Sequence, residues 1–494
     1  MASRRRQPRH PLRPRRALVR QRTQQGLKPL NTATLTLTAR QHAELNSHLF
    51  PGDGCEAVAF ALCGHRRGAE RHRLLVRELV PVAHHVCSVR TPTRVTWPTD
   101  VLPPILARAE RHGLAVVKIH GHRRPSPFSR IDDRADRELF PSVHAWTETA
   151  PHGSAILFED GRMIGRLVDE RGAFRQLDSV NVVGDDLSFW PSTSSATAVP
   201  EFGRRIAQTF GAGTYDRLRG LRIAVVGCSG TGSPLIEQLA RNGVGELVLV
   251  DPDRVEQKNL NRILNANMRD ARQASLKVDV AARAIRAMGL GTAVETHPRN
   301  LFDPDTVRAV AECDAVFGCM DSVDGRHLLN KLATFYLVPY FDLGVKLEAD
   351  GQGGVDQVCG TVHYLQPGGS SLLSRHVYTM EQVRAAGLYR TDPSAYRDLL
   401  DDGYIRGVQE DRPAVVQLNS LIASLAVNEF LARLHPYRLD PNADYAIHRL
   451  SLSHGIYEHE HDGAPCPVLA RHVGRGDVSP LLDWAELSVA REAA

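Results

Sequence analysis

Ile223-Ala-Val-Val-Gly227-Cys-Ser-Gly230-Thr-Gly232-Ser233 opens the stretch that decides the fold, and Glu246-Leu-Val-Leu-Val-Asp251-Pro-Asp253 completes it. A β-branched strand, a glycine turn, a helical run and a second apolar strand ending in an acid make a βαβ nucleotide-binding unit. Small residues at Gly227, Gly230 and Gly232 let the backbone approach phosphate, and the N-terminus of the next helix favours anionic charge. Asp251 stands where a carboxylate accepts hydrogen bonds from ribose hydroxyls. The spacing therefore predicts a Rossmann-like, mostly parallel α/β domain. A dehydrogenase would share all of these features, so the residues downstream of Asp253 decide between chemistries.

Asn259-Leu-Asn-Arg262 and Lys277 come next, and then Cys319-Met-Asp321-Ser-Val-Asp324. Hydride transfer has no evident need for these groups. ATP chemistry needs cations to offset charge building on the phosphates and a carboxylate to hold Mg²⁺. With these motifs in this order, Glu201 to Leu450 resembles the ThiF/MoeB family of adenylating enzymes, bacterial relatives of ubiquitin-activating enzymes. The resemblance implies that Gly227, Gly230 and Gly232 line the ATP phosphates and that Asp251 binds ribose, with Asp253 and Asn259 in the same nucleotide-binding set. It implies that Arg262 and Lys277 contact phosphate and that Asp321 holds Mg²⁺. In this family an arginine before the first strand reaches into a partner subunit's site. Arg205, within Arg204-Arg-Ile-Ala-Gln-Thr-Phe-Gly211, is its match and implies a two-fold homodimer. Ser229 stands where the family turn usually has glycine. The implied reaction is attack of a substrate carboxylate on the α-phosphate of Mg·ATP with loss of pyrophosphate. The implied substrate is a ubiquitin-like or small sulfur-carrier protein with a C-terminal glycine.

The first half carries a second constellation. Ala115-Val-Val-Lys-Ile-His120-Gly-His122 looks like a buried strand ending in two histidines. Residues i and i+2 of a strand face the same way, so both imidazoles can converge on one metal. Ser129-Arg-Ile-Asp132 adds a carboxylate. Two His and one Asp leave a fourth tetrahedral position open on Zn²⁺, as in a catalytic site. Zinc-activated water needs a carboxylate to shuttle its proton, and Glu56, at the start of another apolar strand, is the candidate. This set resembles the JAB/MPN metalloprotease family, in the order Glu56, His120, His122, Ser129, Asp132. The resemblance implies that Glu56 is the general base, that His120, His122 and Asp132 bind Zn²⁺, and that Ser129 helps stabilise the tetrahedral intermediate. It implies cleavage of isopeptide or C-terminal peptide bonds of ubiquitin-like proteins. Arg123 stands where the family has proline, and the spacing from His122 to Ser129 is one residue short.

Relatives of the second domain usually hold a structural zinc with two CxxC pairs. Here Ser371 and Ser374 occupy the first pair and only Cys466 remains of the second, so no structural zinc is expected. None of the cysteines at 228, 313, 319 and 359 reads as an activated nucleophile, so the chemistry is expected to stop at the acyl-adenylate or to pass it to another protein.

At 494 residues the chain is long enough for two or three domains. The organisation reads as a basic disordered arm at 1–32, a JAB-like mixed α/β domain at 33–183 and a Ser/Thr/Pro-rich linker at 184–200. The adenylating domain follows at 201–450, with a C-terminal extension at 451–494. The net charge of +5 is misleading, because the first thirty residues hold ten Arg or Lys and no acid, leaving −5 for the rest. Nucleic-acid binding by that arm stays open. No apolar run of membrane-spanning length occurs, and the expectation is a soluble, cytoplasmic protein. Ser374 to Asp411 reads as an irregular crossover loop, and Ser420 to Leu434 as a packed helix. Two other readings compete: an adenylating enzyme whose first domain only binds a substrate tail, and a non-catalytic nucleotide-binding scaffold.

Overall fold

The computed structural model describes residues 32–68, 71–147, 151–193, 198–350, 352, 354–401 and 415–488. All of the basic arm but Thr32 lies outside these residues.

In the first half, β1 (Thr32–Thr38) runs directly into α1 (Ala39–Leu49). The Thr38 hydroxyl accepts the Gln41 N–H while the Gln41 amide oxygen accepts the Thr38 N–H, a capping box that ends the strand and starts the helix. β2 (Val58–Arg67) and β3 (Arg71–Pro81) follow, then a small hairpin of β4 (Val89–Thr91) and β5 (Arg94–Thr96). α2 (Leu102–His112) stops at Gly113, whose left-handed φ of 60° turns the chain into β6 (Ala115–His122). After α3 (Arg130–Trp146) come β7 (His152–Phe158), β8 (Met163–Val168), β9 (Phe174–Gln176), β10 (Ser179–Val183) and β11 (Leu187–Pro191). All but the small hairpin join one nine-stranded sheet in the order β11-β10-β1-β3-β2-β6-β7-β8-β9.

The second half opens with α4 (Arg204–Phe210) and α5 (Ala212–Gly220). β12 (Arg222–Val226), α6 (Gly232–Arg241) and β13 (Glu246–Val250) then form the βαβ unit expected from the sequence. α7 (Met268–Arg272), α8 (Lys277–Met288), β14 (Ala293–His297) and α9 (Pro304–Ala311) lead to β15 (Ala315–Gly318) and α10 (Val323–Tyr336). β16 (Tyr340–Ala349), β17 (Val355–Leu365), α11 (Met380–Thr391), α12 (Pro393–Asp401) and α13 (Val416–Leu434) precede the closing hairpin of β18 (Ile447–Ser451) and β19 (Ile456–Glu460). The sheet order is β14-β13-β12-β15-β16-β17-β18-β19. It is parallel from β14 to β16 and antiparallel beyond. Every residue of β12, β13 and β15 is buried, as strands covered on both faces must be. The fold is thus α/β throughout, with a parallel-rich second sheet.

Three expectations need correction. Part of the stretch 184–200 is strand rather than linker. β11 pairs with β10, and Leu187 and Phe189 are buried in the same core as Ile223, Leu247 and Phe430. The alternating apolar residues of that strand outweigh the Ser, Thr and Pro after it. Second, the described part of 451–494 is no appendage: β18 and β19 continue the second sheet, and Leu481, Leu482 and Leu487 are buried against α10. Gly476 bridges to His65, and the Asp477 N–H donates to the His65 carbonyl at 2.6 Å, so this tail also grips β2. Third, much of Ser374 to Asp411 is helical. A Thr379–Gln382 capping box starts α11, and the Asp392 carboxylate caps the turn into α12 by accepting the Ser394 and Ala395 N–H groups. Residues 402–411 lie outside the described set.

The two halves share a polar seam as well. Arg71 reaches Asp314 through both guanidinium nitrogens at 3.1 and 3.0 Å. Arg66 pairs with Glu312 and Asp477, and fully buried Arg73 donates to the carbonyls of Ala311 and Cys313. These contacts lie at the starting end of β15, opposite the end where the glycine turn sits.

Candidate functional site

In the first half, β6 sends two imidazoles to one side, as strand parity requires. His120 Nε2 and His122 Nε2 stand 3.0 Å apart, and Asp132 oxygens lie 3.1 Å from the former and 3.8 Å from the latter. These three side chains offer ligand atoms within 4.8 Å of one another and form the metal-capable cluster found among the described residues. Asp132 is placed by its helix. Ser129 is the N-cap of α3, its hydroxyl accepting the Asp132 N–H at 3.2 Å while the Asp132 carboxylate accepts the Ser129 N–H at 2.7 Å. The pair expected to do chemistry is therefore also a capping box, and that box aims one carboxylate oxygen at each histidine. Burial alone would raise the Asp132 carboxyl, but the bonds from His120 and Ser129 hold it well below the usual range. Burial and then His120 lower the pKa of His122.

The donor set suits zinc. His120 is buried, with its Nε2 in the cluster and its Nδ1 without a partner among the described residues, and His122 Nδ1 is oriented by Ser126 Oγ at 3.0 Å. Ser126 carries no signal in the sequence, because it is a lone serine in a Pro-rich loop. Glu56 is fixed through its backbone: its N–H donates to the Thr91 carbonyl, and its own carbonyl accepts from Arg90 Nε at 3.1 Å. Burial, then the neighbouring Asp132 charge, push the Glu56 carboxyl up to about 7, with Lys118 acting the other way. Glu56, Gly121, Arg123 and Glu159 line a small cleft of about 60 Å³, which none of the three candidate ligands lines.

The second constellation lies where β12, β13 and β15 end on the same edge of the sheet. Three bonds tie these ends together. Gly227 N–H donates to the Val250 carbonyl, Cys319 N–H to the Val226 carbonyl, and Cys228 N–H to the Asp251 carboxylate, at 2.8, 2.8 and 2.7 Å. Gly227 has a φ of +96°, and a Cβ there would stand 2.5 Å from the Cys319 carbonyl oxygen. A Cβ at Gly232 would stand 1.8 Å from the Gly227 carbonyl oxygen. Both glycines are thus required by backbone packing in the turn itself. α6 starts at Gly232 with no side-chain cap; the Ser233 N–H already donates to the Ser229 carbonyl at 2.9 Å and Pro234 has none, so among the described residues the Gly232 N–H is the one at this end left for an anion.

Asp251 is buried and accepts the Cys228 and Asp253 N–H groups; burial raises its pKa, opposed by Lys277. Lys277 Nζ lies 2.7 Å from Asp253 and 4.0 Å from Asp251. Arg262 stands over the turn: a Cβ at Gly230 would meet its Cδ at 3.2 Å. Asn419 of α13 faces the same glycine, bonded to Thr231 at 3.3 Å, and its buried Nδ2 has no partner among the described residues. Nothing in the sequence marks Asn419, which arrives from a helix far along the chain.

The structure thus gathers Gly227, Gly230, Gly232, Asp251, Asp253, Arg262 and Lys277. Asp321 lies exposed just beyond β15, on the other side of the turn from Asp251, with no hydrogen bond to them among the described residues. The Asn259 Oδ1 accepts the Glu256 N–H and so caps its own local turn. Arg205 is exposed on α4 and reaches Gln208 of that helix, with no bond to the glycine turn among the described residues. Burial pushes the thiols of Cys228 and Cys319 far up, which leaves them unreactive at neutral pH. At the position of the lost CxxC pairs, Ser371 and Ser374 bond each other, and the Cys466 N–H donates to Gly369 O at 2.9 Å. An ion pair between Arg375 and Asp462, with Ser370, holds the two segments together.

A parallel-rich α/β domain with a glycine turn and an acid at adjoining strand ends defines a nucleotide-binding class. The ThiF family profile matches residues 202–457, more than half of the chain, and the chain belongs to that family. Ubiquitin-like modifier-activating enzyme 5 of Drosophila persimilis is 32% identical over 167 residues, which cover 31% of this chain and 40% of that protein. The Drosophila ananassae protein of the same name is 30% identical over 167 residues, covering 31% and 39%. The chain therefore spans about 40% of the length of these curated relatives. Among solved structures, E. coli MccB with ATP has a TM-score of 0.41 at 18% identity, covering 55% of this chain and 74% of that one. PaaA has a TM-score of 0.40 at 19% identity, covering 55% and 78%. Among the described residues, no helix is long and apolar enough to cross a membrane.

Proposed function

We propose that the second domain adenylates the C-terminal carboxylate of a ubiquitin-like or small sulfur-carrier protein, and that the first domain is a zinc-dependent peptidase acting on the same tail. The observation that carries the first part is Lys277 held between Asp253 and Asp251 at the end of β13, with Arg262 and the uncapped start of α6 over the adjoining turn. In this reading ATP places its ribose at Asp251 and its phosphates along the turn from Gly227 to Gly232. Lys277 leaves Asp253 for phosphate, and Arg262 and the Asn419 amide supply further donors. Asp321 would hold Mg²⁺, which offsets charge on the phosphates. The carrier carboxylate attacks the α-phosphorus, the bond to the bridging oxygen breaks, and pyrophosphate leaves. Arg205 of the partner subunit would complete the site in a homodimer. ATP–pyrophosphate exchange driven by carrier proteins ending in glycine tests this part; no exchange with any of them, in a protein that binds ATP, counts against it.

In the first domain His120, His122 and Asp132 would hold zinc. Bound zinc lowers the pKa of a coordinated water to roughly 7. Glu56 takes a proton during attack on the scissile carbonyl and returns it to the departing amine. Ser129, with its O–H free to donate because its oxygen caps α3, would stabilise the tetrahedral oxyanion. In this proposal the first unit runs from 33 through β11 and the second from 201 through β19 and the tail that packs on α10. They work in sequence: hydrolysis makes the C-terminal carboxylate that adenylation consumes. Soluble chemistry in the cytoplasm suits this reading, because ATP and a reduced thiol pool are available there.

A further inference from the structure

We propose that Arg123 binds the free α-carboxylate of a one- or two-residue C-terminal extension, so that the first domain trims a carrier tail rather than separating two conjugated proteins. The proposal rests on the hydrolytic reading of that domain. Its starting point is an exposed arginine beside the cleft. Arg66, Arg71, Arg73, Arg90 and Arg166 are all bonded to carboxylates or carbonyls. Arg123 follows a proposed metal ligand directly, and no side chain among the described residues is bonded to its guanidinium. It lies over the left-handed turn at Gly54 (φ +80°), where a Cβ would come within 2.6 Å of its Nη2. A glycine at 54 therefore makes room for the arginine against the wall of the cleft.

The same cleft decides which end of the substrate Arg123 would meet. Glu56 lines it together with Arg123, Gly121, Pro92 and Glu159. The group that returns a proton to the leaving amine must sit beside that amine, so the cleft next to Glu56 holds the departing fragment. At about 60 Å³ it is well below the small-ligand pockets that span about 300–1,000 Å³. It takes the end group of a short fragment and not a folded protein. In such a fragment the amine faces Glu56 and Glu159, and the α-carboxylate falls to Arg123, whose planar fork matches a carboxylate. A protein joined through a lysine side chain has no free α-carboxylate at that point. The reaction balances as simple hydrolysis. Water oxygen bonds to the scissile carbonyl carbon, the C–N bond breaks, the new carboxylate stays on the carrier and the proton leaves with the amine.

The test uses the full chain and three fluorescent peptides: one ending in Gly-Gly-Ala with a free acid, the same peptide as its carboxamide, and a Gly-Gly tail joined to a lysine side chain. Binding is read by anisotropy on the metal-free protein and cleavage on the zinc-loaded protein. The expected result is a preference for the acid over the amide of at least about tenfold in both Kd and kcat/KM, the value of one charged hydrogen bond. Arg123→Ala erases that preference and Arg123→Lys keeps part of it. Equal treatment of acid and amide by the natural chain, or faster cleavage of the lysine-linked tail, overturns the proposal and leaves hydrolysis standing. If no peptide is cut and Glu56→Gln behaves as the natural chain, the hydrolytic reading falls and takes this proposal with it.

Discussion

The two candidate sites are prepared in opposite ways. In the first, local geometry does most of the work: a strand sets His120 and His122 on one face, and the N-cap of α3 turns Asp132 toward them within 4.8 Å. In the second, the groups come from three strand ends and two helices, and they satisfy one another. Lys277 bonds Asp253, Asp251 takes two backbone N–H groups, and Asp321 stands apart in solvent. A metal-type site can be assembled by secondary structure alone. A nucleotide-type site at a sheet edge is held by internal bonds that its ligand must exchange for new ones.

Substitutions that separate the sites test this contrast, and the largest effect is expected at the first. His120→Ala should abolish zinc uptake, measured by metal analysis, and lower hydrolysis by at least about 10³-fold, in keeping with loss of a metal-bound nucleophile. Pyrophosphate exchange should hardly change, since distant sites act independently. Loss of both activities would show that the sites are coupled.

Next in size is the seam that joins them. Asp314 is buried between Arg71 and the Arg222 N–H. Asp314→Ala leaves Arg71 with the Glu312 carbonyl but without its carboxylate partner, and should cost about 3–5 kcal/mol in denaturant unfolding. One cooperative transition in the natural chain, splitting into two in this variant, would show that the seam makes the halves a single unit.

Lys277→Ala should lower pyrophosphate exchange by about 10²–10³-fold while peptide cleavage persists. Equal exchange in the variant would remove Lys277 from the nucleotide site.

The smallest effect concerns pH. Glu56 has a carboxyl raised to about 7 in the folded metal-free chain, against about 4.3 unfolded. Between these values the folded state binds more protons than the unfolded one, so stability falls as pH rises through that window. Glu56→Gln should therefore raise the melting temperature of metal-free protein more at pH 7.5 than at pH 4.5. An equal change at both would mean that Glu56 is not strained by burial beside Asp132.

How much of this was legible in the chain differs by residue. His120 and His122 could be paired from sequence because strand parity is a two-residue rule, and Ser129 with Asp132 because a capping box has a fixed spacing. The βαβ unit could be read because its strands are apolar throughout. Asn419 could not, because its place opposite Gly230 depends on how α13 packs across the second sheet. Leu187 and Phe189 alternate as a strand should, but the Ser, Thr and Pro residues beside them masked the pattern. The arginines at 66, 71 and 73 carry no mark of their role in the sequence, since nothing local says that the second half will cover them.

By itself, then, the sequence determined what repeats over a few residues: strand and helix periods, turns, caps and the glycine turn with its acid. Tertiary structure alone decided that β11 and the C-terminal tail bind the halves together, that Asn419 faces the turn, and that Arg123 shares one cleft with Glu56. Short-range patterns follow from backbone geometry, which every few residues restate. Contacts across hundreds of residues follow from which surfaces bury one another, and that appears only once the chain has folded.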